Sequence, residues 1–405
     1  MASEPEFLPG GTITSAKGFV AGATFAGMKT YAEDKLDLGL LRSEGPCITV
    51  GVFTTSSVKS ASLRLTQRQL AKGRVRALVV NSGIANTSVG EQGLKDAQET
   101  IELAARQTQL EPEEVAICST GLIGVEMPMA LLRASMGKIG LSADGGNLLA
   151  RAIMTTDSHP KEAALSYEQD GKTVTLGGIV KGSGMIHPEM ATLLGFIATD
   201  AAVERGFLQK ALKEAVDSSF NMVSVDADTS TNDTVLLFAN GASGIEEIAE
   251  GSAQARAFQD ALTQLCAYLA REVARDGEGA TKLLEVRVEG ARTVAEARKA
   301  AKSVVSSNLV KTAVHGGDPN WGRVMAALGK SGAQVDEGRL ALYLNEVCIL
   351  EGGRPIPFHK DAVVVIMRGG EVTFRIALNL GKGTATAWGC DLTEEYVTFN
   401  SGYTT

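Results

Sequence analysis

The chain has 405 residues, enough for one large domain or two to three ordinary ones, each with its own hydrophobic core. Its formal net charge of -8 disfavours nucleic-acid binding, which needs clustered Lys and Arg to neutralise phosphates. Five cysteines stand far apart without a CxxC pair, so the sequence predicts neither a disulfide framework nor a zinc site. We therefore expect an acidic enzyme that works in a reducing compartment.

The start of the chain and its hydropathy bear on location. The sequence begins MASEPEFLPGG, which lacks the basic residues and apolar run of a signal peptide. No stretch approaches the roughly 18 uninterrupted apolar residues that a membrane helix requires. We expect a cytoplasmic protein that binds neither membrane nor nucleic acid.

Apolar periodicity predicts both strands and helices. In chain order the segments are a buried strand at 77–80, a helix within 94–104, a buried strand at 234–238, a helix within 258–269, and half-buried strands at 284–288 and 372–380. These elements come in blocks rather than in strict alternation, which favours a layered α+β fold over a parallel doubly wound sheet. A helical segment from Thr293 to Val305 is followed by glycines and Pro319, so a smaller C-terminal subdomain is expected from about residue 293.

One glycine-rich segment has residues suited to chemistry. Residues 179–200 read IVKGSGMIHPEMATLLGFIATD. A glycine-rich turn lets backbone N–H groups converge, Lys181 adds a cation, and Thr192 offers a hydroxyl on a side chain with restricted χ1. The same residues are also typical of an ordinary loop followed by a strand threonine. The four histidines are widely spaced and lack an HExxH arrangement, so neither a metal site nor a serine triad is predicted.

Long motifs along the chain identify a family. The segment 181–192 matches the pattern KGxGMIxPxMAT of the self-processing site in the ornithine acetyltransferase family, which the chain closely resembles. The resemblance extends over nearly the whole chain, through VVNSGIANTSVGEQG (79–93), CSTGLIG (118–124), MTTDSHPK (154–161), SVDADTSTNDT (224–234), DGEGATK (276–282), GGDPNWGR (316–323) and WGCDLTEEYV (388–397).

The resemblance implies that the chain cleaves its own bond between Ala191 and Thr192. The two fragments would then be an alpha chain, 1–191, and a beta chain, 192–405, that remain associated, with two of each in a heterotetramer. Thr192 would take an acetyl group from N-acetyl-L-ornithine and pass it to L-glutamate, and no cofactor is needed. Acetyl-CoA is left open as a second acetyl donor. A freed α-amino group, with a reference pKa of about 7.7–8.0, can serve as the base without a histidine.

Further site residues follow from the matching motifs. The resemblance places the donors that stabilise the oxyanion at Thr120 and Gly121, which alone would also fit a glycine turn capped by threonine. Lys181 suits an α-carboxylate and Glu278 suits an amine, although single charges of this kind are often only solvated. The substrate contacts implied by the resemblance are Thr155, Lys181, Thr192, Glu278, Asn400 and Thr405. The fold it implies is a sandwich of two sheets between helical layers, as in N-terminal-nucleophile enzymes and DmpA-like aminopeptidases.

Two alternative functions compete with acetyl transfer. An N-terminal-nucleophile amidase or aminopeptidase would share the self-cleavage and the acyl-enzyme, but water would complete the reaction. An uncleaved binding protein for amino acids would need neither the nucleophile nor the cut. The charges of Lys181 and Glu278 suit an amino-acid acceptor, which favours the transferase.

Overall fold

The computed structural model describes residues 2–29, 32, 35–187 and 193–402, so Ala191, Thr192 and Thr405 lie outside the described residues. The strands of these ranges are β1 (Glu6–Phe7), β2 (Phe19–Thr24), β3 (Leu38–Ser43), β4 (Ile48–Phe53), β5 (Ala77–Ile84), β6 (Val115–Leu122), β7 (Lys161–Gln169), β8 (Lys172–Lys181), β9 (Leu194–Thr199), β10 (Val223–Ser224), β11 (Thr234–Ala239), β12 (Leu283–Ala291), β13 (Ala341–Leu344), β14 (Val347–Glu351), β15 (Arg354–Pro355), β16 (Glu371–Ala377) and β17 (Gly383–Cys390). The α-helices are α1 (Ala61–Lys72), α2 (Gly90–Thr108), α3 (Met129–Ser135), α4 (Gly146–Ala152), α5 (Arg205–Ser218), α6 (Ala255–Arg275), α7 (Val294–Val305), α8 (Asn308–Gly316), α9 (Trp321–Gly329), α10 (Lys360–Met367) and α11 (Glu394–Gly402).

The strands form three sheets. In the first the order is β1-β7-β8-β9-β11-β4, in the second β2-β3-β5-β6, and in the third β10-β17-β12-β16-β13-β14-β15. Strand β9 lies inside the first sheet, antiparallel to β8 and parallel to β11. Since β9 begins at Leu194, the chain that follows the predicted cleavage point enters the middle of a sheet.

The first two sheets pack face to face between layers of helix. Alternate side chains of β5 pack into different layers, because successive residues of a strand point to opposite faces. Leu78 and Val80 join Phe196 and Phe238 in the core between the sheets, whereas Val79 packs on the opposite face with the apolar side of α2. On the far side of the first sheet, α5 and α6 cover β4, β7 and β8. This helix–sheet–sheet–helix order confirms the predicted layered α+β fold.

Most predicted elements are confirmed. The buried strands at 77–80 and 234–238 lie in β5 and β11, the two helices are α2 and α6, and 284–288 lies in β12. The prediction for 372–380 was too long, because β16 ends at Ala377 and Asn379 adopts a left-handed φ of 54°.

The third sheet joins residues from both sides of position 293. Its centre pairs β12 with β16 in parallel and with β17 antiparallel, and α7 covers β12 and β17. Apolar residues of α6, β12 and α7 belong to one continuous core. The separate subdomain expected from about residue 293 stays a prediction.

Helix α6 connects the core to the site. Phe258, Leu262, Leu265 and Leu269 recur at helical spacing and are fully buried, so they fix the axis of this 21-residue helix. The helix ends at Arg275, and the motif DGEG follows immediately, which fixes the position of Glu278. No helix in the described part of the chain has the length and apolarity to cross a membrane.

Candidate active site

The parallel ends of β5 and β6 form one wall of a cleft. At the end of β6, Gly121 has a φ of 127°, a conformation that L side chains rarely adopt. A Cβ atom at Gly121 would overlap the carbonyl group of Gly83 on the neighbouring strand. The ladder shifts register here, between Gly83 and Ile84. This close backbone approach requires glycine, and it places Thr120 and Gly121 together at the cleft.

A buried amide, which no sequence motif indicated as a site residue, braces the same wall. Asn232 is 6% exposed, and its Nδ2 donates hydrogen bonds to the carbonyl oxygens of Ala85 (2.6 Å) and Ser119 (2.7 Å). Its Oδ1 accepts hydrogen bonds from the hydroxyls of Thr87 (2.8 Å) and Thr231 (2.6 Å). The amide therefore ties together the chain after β5 and the strand that carries Thr120.

Lys181 lies at the end of β8 and contacts this wall. Its side chain is buried, and its Nζ donates a hydrogen bond to Thr120 Oγ1 at 3.5 Å. Burial lowers the pKa of Lys181, while Asp157, Asp233 and Glu278 oppose that shift. A cation with little water around it binds a carboxylate strongly.

The TTD motif forms the floor beside Lys181. Asp157 Oδ2 accepts a hydrogen bond from the backbone N–H of Thr155 (3.0 Å), and Oδ1 accepts from Gly182 (2.7 Å) and from Lys161 Nζ (2.7 Å). Burial would raise the pKa of Asp157, but the charges of Lys161 and Lys181 hold it well below its usual range. Asp157 is therefore an ionised anchor that orients both Thr155 and the turn after Lys181.

Glu278 and Asn400 form a second wall of the cleft, across from Thr120 and Gly121. The Glu278 backbone N–H donates to the carbonyl of Ser183 (2.9 Å), and Asn400 Nδ2, on α11, donates to Glu278 Oε2 (2.9 Å). Gly184 lies against the Glu278 carboxyl, and a side chain at Gly184 would overlap that carboxyl. A larger residue at position 184 would therefore have to displace the Glu278 carboxyl from its present place.

A carboxylate also clamps the segment that precedes the predicted cleavage point. The backbone N–H groups of Met185 and Ile186 donate to Asp226 Oδ2 (2.6 Å) and Oδ1 (2.8 Å), and Val225 N–H donates to the Ile186 carbonyl (2.7 Å). Met185 adopts a φ of 54°, which is uncommon for a residue with a side chain. Burial raises the pKa of Asp226 despite these hydrogen bonds. No motif or periodicity in the sequence indicated a role for Asp226.

The two walls and the floor enclose one cleft with a volume of about 120 Å³. It is lined by the predicted residues Thr120, Gly121, Thr155, Lys181, Glu278 and Asn400, and also by Leu193, Leu194, Asn232 and Asp233. Among the described residues no histidine lines the cleft, and no group of acidic, histidine or cysteine side chains could hold a metal ion. All predicted site residues that the structure describes are therefore brought together.

The clustered polar residues of 224–234 were the available signal for the missed ones. Asn232 and Asp233 stand directly before the buried strand β11, and Asp226 follows shortly after β10 in the same polar segment. Periodicity places β11 correctly but cannot show which earlier strands its polar neighbours reach.

The ArgJ family pattern matches residues 20–405. The arginine biosynthesis bifunctional protein ArgJ of Symbiobacterium thermophilum is 52% identical over 402 residues, covering 99% of this chain and 100% of that protein. A crystal structure of ArgJ from Bacillus halodurans is 41% identical, covers 51% of this chain and 98% of that one, and has a TM-score of 0.50. An ornithine acetyltransferase from Mycobacterium tuberculosis, solved with ornithine, is 40% identical, covers 46% of this chain and 100% of that one, and has a TM-score of 0.43. The chain belongs to the ArgJ family, the ornithine acetyltransferases of arginine biosynthesis.

Proposed function

We propose that this chain cleaves its own Ala191–Thr192 bond and then transfers an acetyl group from N-acetyl-L-ornithine to L-glutamate through an acetyl ester of Thr192. One observation carries the proposal. Leu193 and Leu194, which follow Thr192 in the chain, line the same cleft as Thr120, Gly121 and Lys181. The proposal therefore puts the nucleophile, one residue before Leu193, beside donors for an oxyanion and a cation for an amino acid.

In the first half-reaction, the Thr192 hydroxyl attacks the acetyl carbonyl carbon of N-acetylornithine. The freed α-amino group of Thr192 takes the hydroxyl proton, since a hydroxyl needs an adjacent base to act as a nucleophile. Negative charge forms on the carbonyl oxygen, and the Thr120 hydroxyl and Gly121 N–H donate hydrogen bonds to it. The C–N bond then breaks, the proton passes to the departing nitrogen, and ornithine leaves.

In the second half-reaction, the amine of L-glutamate attacks the ester carbonyl of acetyl-Thr192. The Thr192 amine accepts the proton of the attacking nitrogen, the C–O bond breaks, and Thr192 Oγ regains a proton. N-acetyl-L-glutamate is the product. Lys181 binds the α-carboxylate that both substrates carry, and Glu278 binds the side-chain ammonium of ornithine.

The length of a solved relative supports the cleavage. The match to the Bacillus halodurans chain includes 98% of that chain but only 51% of this one, so that chain is about half as long. That is the size expected of one product of a cut between residues 191 and 192. The clamp by Asp226 on Met185 and Ile186 supports the same step, because it fixes the segment that leads to the scissile bond.

Four further points belong to the proposal. Acetyl-CoA stays open as a second acetyl donor for glutamate, and the Symbiobacterium thermophilum relative is named a bifunctional protein. The two fragments stay together after cleavage, because β8 of the first fragment and β9 of the second pair in one sheet, and two copies of each form a heterotetramer. The protein works in the cytoplasm.

Mass spectrometry of the purified protein tests the cleavage. The 42.4 kDa chain should yield fragments of roughly 20 and 22 kDa without added protease, the second beginning at Thr192. Thr192→Ala should give one intact, inactive chain. A cleaved Thr192→Ala variant, or a second fragment with another first residue, would disprove the nucleophile assignment.

Steady-state kinetics separate the transferase from a hydrolase. Ornithine release from N-acetylornithine should require glutamate, and double-reciprocal plots should be parallel because a single hydroxyl holds the acetyl group between substrates. Ornithine release at full rate without glutamate would instead identify an amidase. Intersecting lines would show a ternary complex.

A further inference from the structure

Asp233 is a carboxylate of the cleft to which neither half-reaction above gives a task. It is 2% exposed and lines the cleft together with Glu278, and these are the two carboxylates that do so among the described residues. Ser230 donates hydrogen bonds to its carboxyl from both its hydroxyl and its backbone N–H. Asp233 Oδ2 is buried and has no hydrogen-bond partner. An acceptor without a donor is costly inside a protein, so this oxygen marks a place where a donor belongs.

The strand register places Asp233 beside the predicted new chain end. In the parallel ladder of β11 and β9, Thr234 pairs with Leu194, and the Thr234 N–H donates to the Leu193 carbonyl at 2.9 Å. Asp233 precedes Thr234 and is therefore level with Leu193, the residue next to Thr192 in the chain. Neighbouring strands are about 4.8 Å apart, which an aspartate side chain can reach across.

The charges around Asp233 are not balanced, and a second cation could bind to its carboxyl. Lys181 on β8 is the charged group that faces Asp233, and Asp157 and Glu278 face Lys181 in turn. Burial raises the pKa of the Asp233 carboxyl well above its usual range, because the hydrogen bonds from Ser230 and the charge of Lys181 offset only part of the lost hydration. A second cation next to Asp233 would remove this imbalance, and cleavage before Thr192 creates one, an α-ammonium group.

We propose that Asp233 binds the α-amino group of Thr192 after cleavage, and so positions and tunes the base of the acetyl transfer. The inference rests on the proposed function. Before the cut, position 192 contributes only an amide nitrogen, and Asp233 Oδ2 stays without a partner. After the cut, the amine donates a hydrogen bond to Oδ2, its lone pair is directed toward the Thr192 hydroxyl, and the carboxylate stabilises the ammonium formed when the amine takes the hydroxyl proton.

The test compares Asp233→Asn with Asp228→Asn. Asn has nearly the shape of Asp without its charge, and Asp228 is an exposed carboxylate of the same loop, so its variant is a matched control. Asp233→Asn should still cleave before Thr192, because that step precedes the amine. Turnover per cleaved site should fall by about 10²-fold, as for loss of a base's orientation. The acid limb of the kcat/KM profile should move to lower pH by about one unit, because an amine without a nearby carboxylate has a lower pKa.

Asp228→Asn should leave cleavage, turnover and the acid limb unchanged. An acid limb of Asp233→Asn that matches the wild type would overturn the inference, as would an Asp233→Asn chain that folds but is not cut, since Asp233 would then act in processing. Failure of the wild-type chain to cleave would instead disprove the proposed function itself.

A measurement on the wild-type protein covers the case in which Asp233→Asn does not fold. Cyanate carbamylates the unprotonated amine, and mass spectrometry of the second fragment reports modification of Thr192 as a function of pH. The amine pKa should lie at or above the reference of about 7.7–8.0, because the carboxylate favours the ammonium form. A pKa well below that range would show that no carboxylate pairs with the amine and would overturn the inference.

Discussion

The two walls of the cleft are built differently. The wall with Thr120 and Gly121 consists of paired strands whose backbones touch, and the buried amide of Asn232 braces it. The wall with Glu278 and Asn400 lies at the ends of helices, where Glu278 is half-buried and Asn400 is exposed. We interpret the first wall as fixed and the second as adjustable. A transition state needs donors at fixed places, whereas a site that accepts both ornithine and glutamate benefits from side chains that can move.

Gly121→Ala should cause the largest loss of turnover, because it changes the backbone of the fixed wall. An added Cβ would overlap the carbonyl of Gly83 and would also require a strained φ, so both oxyanion donors must shift. We expect turnover to fall by more than about 10³-fold, beyond the loss of one donor. Turnover per site and the thermal midpoint should be measured together.

Gly124→Ala is the matched control for this variant. Gly124 also has a positive φ, 80°, but a Cβ there would meet nothing within 4 Å. It should lose about 1 kcal/mol of stability from backbone strain and keep its turnover. If Gly121→Ala behaved like Gly124→Ala, the wall would be adjustable and the comparison would fail.

Thr120→Ala should have the next largest effect. It removes one hydroxyl donor and leaves the backbone in place, so kcat should fall by about 10²–10³-fold while KM changes little. Thr120→Ser keeps the hydroxyl and should recover most of the rate. A change confined to KM would assign Thr120 to substrate binding, the role proposed for Glu278 on the other wall.

The difference between the walls also explains what the sequence could predict. Gly121, Lys181 and Glu278 stand in recognisable motifs, and the structure brings them into one cleft. The layers were predictable because continuously apolar runs, such as 77–80 and 234–238, are typical of buried strands. Asn232 and Asp233 were not predictable, because their roles depend on which strands become neighbours. Asp233 lies 40 residues after Leu193 in the chain, and only the pairing of β11 with β9 brings the two level.

Glu278→Gln should produce a smaller effect that depends on the substrate. The variant loses a charge but keeps its shape, so the ammonium of N-acetylornithine loses a charge-assisted hydrogen bond of about 1.5–3 kcal/mol. We expect KM for N-acetylornithine to rise by about 10–100-fold and KM for glutamate to change by less than about threefold. Equal increases for both substrates would show that Glu278 supports the cleft as a whole.

Substitutions at Asn400 should have the smallest effect, and their direction tests whether the second wall is adjustable. Asn400 is exposed, and its hydrogen bond to Glu278 Oε2 should contribute about 0.5–1 kcal/mol, so Asn400→Ala should change KM for either substrate by less than about fivefold. Asn400→Asp adds a carboxylate beside Glu278. The paired negative charges should attract the ammonium of N-acetylornithine and repel the side-chain carboxylate of glutamate, so the two KM values should move in opposite directions by a few fold at low salt. They should converge again as ionic strength rises, because exposed charges are screened. A KM shift in the same direction for both substrates, or one that salt does not reduce, would mean that Asn400 shapes the cleft sterically and that this wall is as fixed as the one opposite.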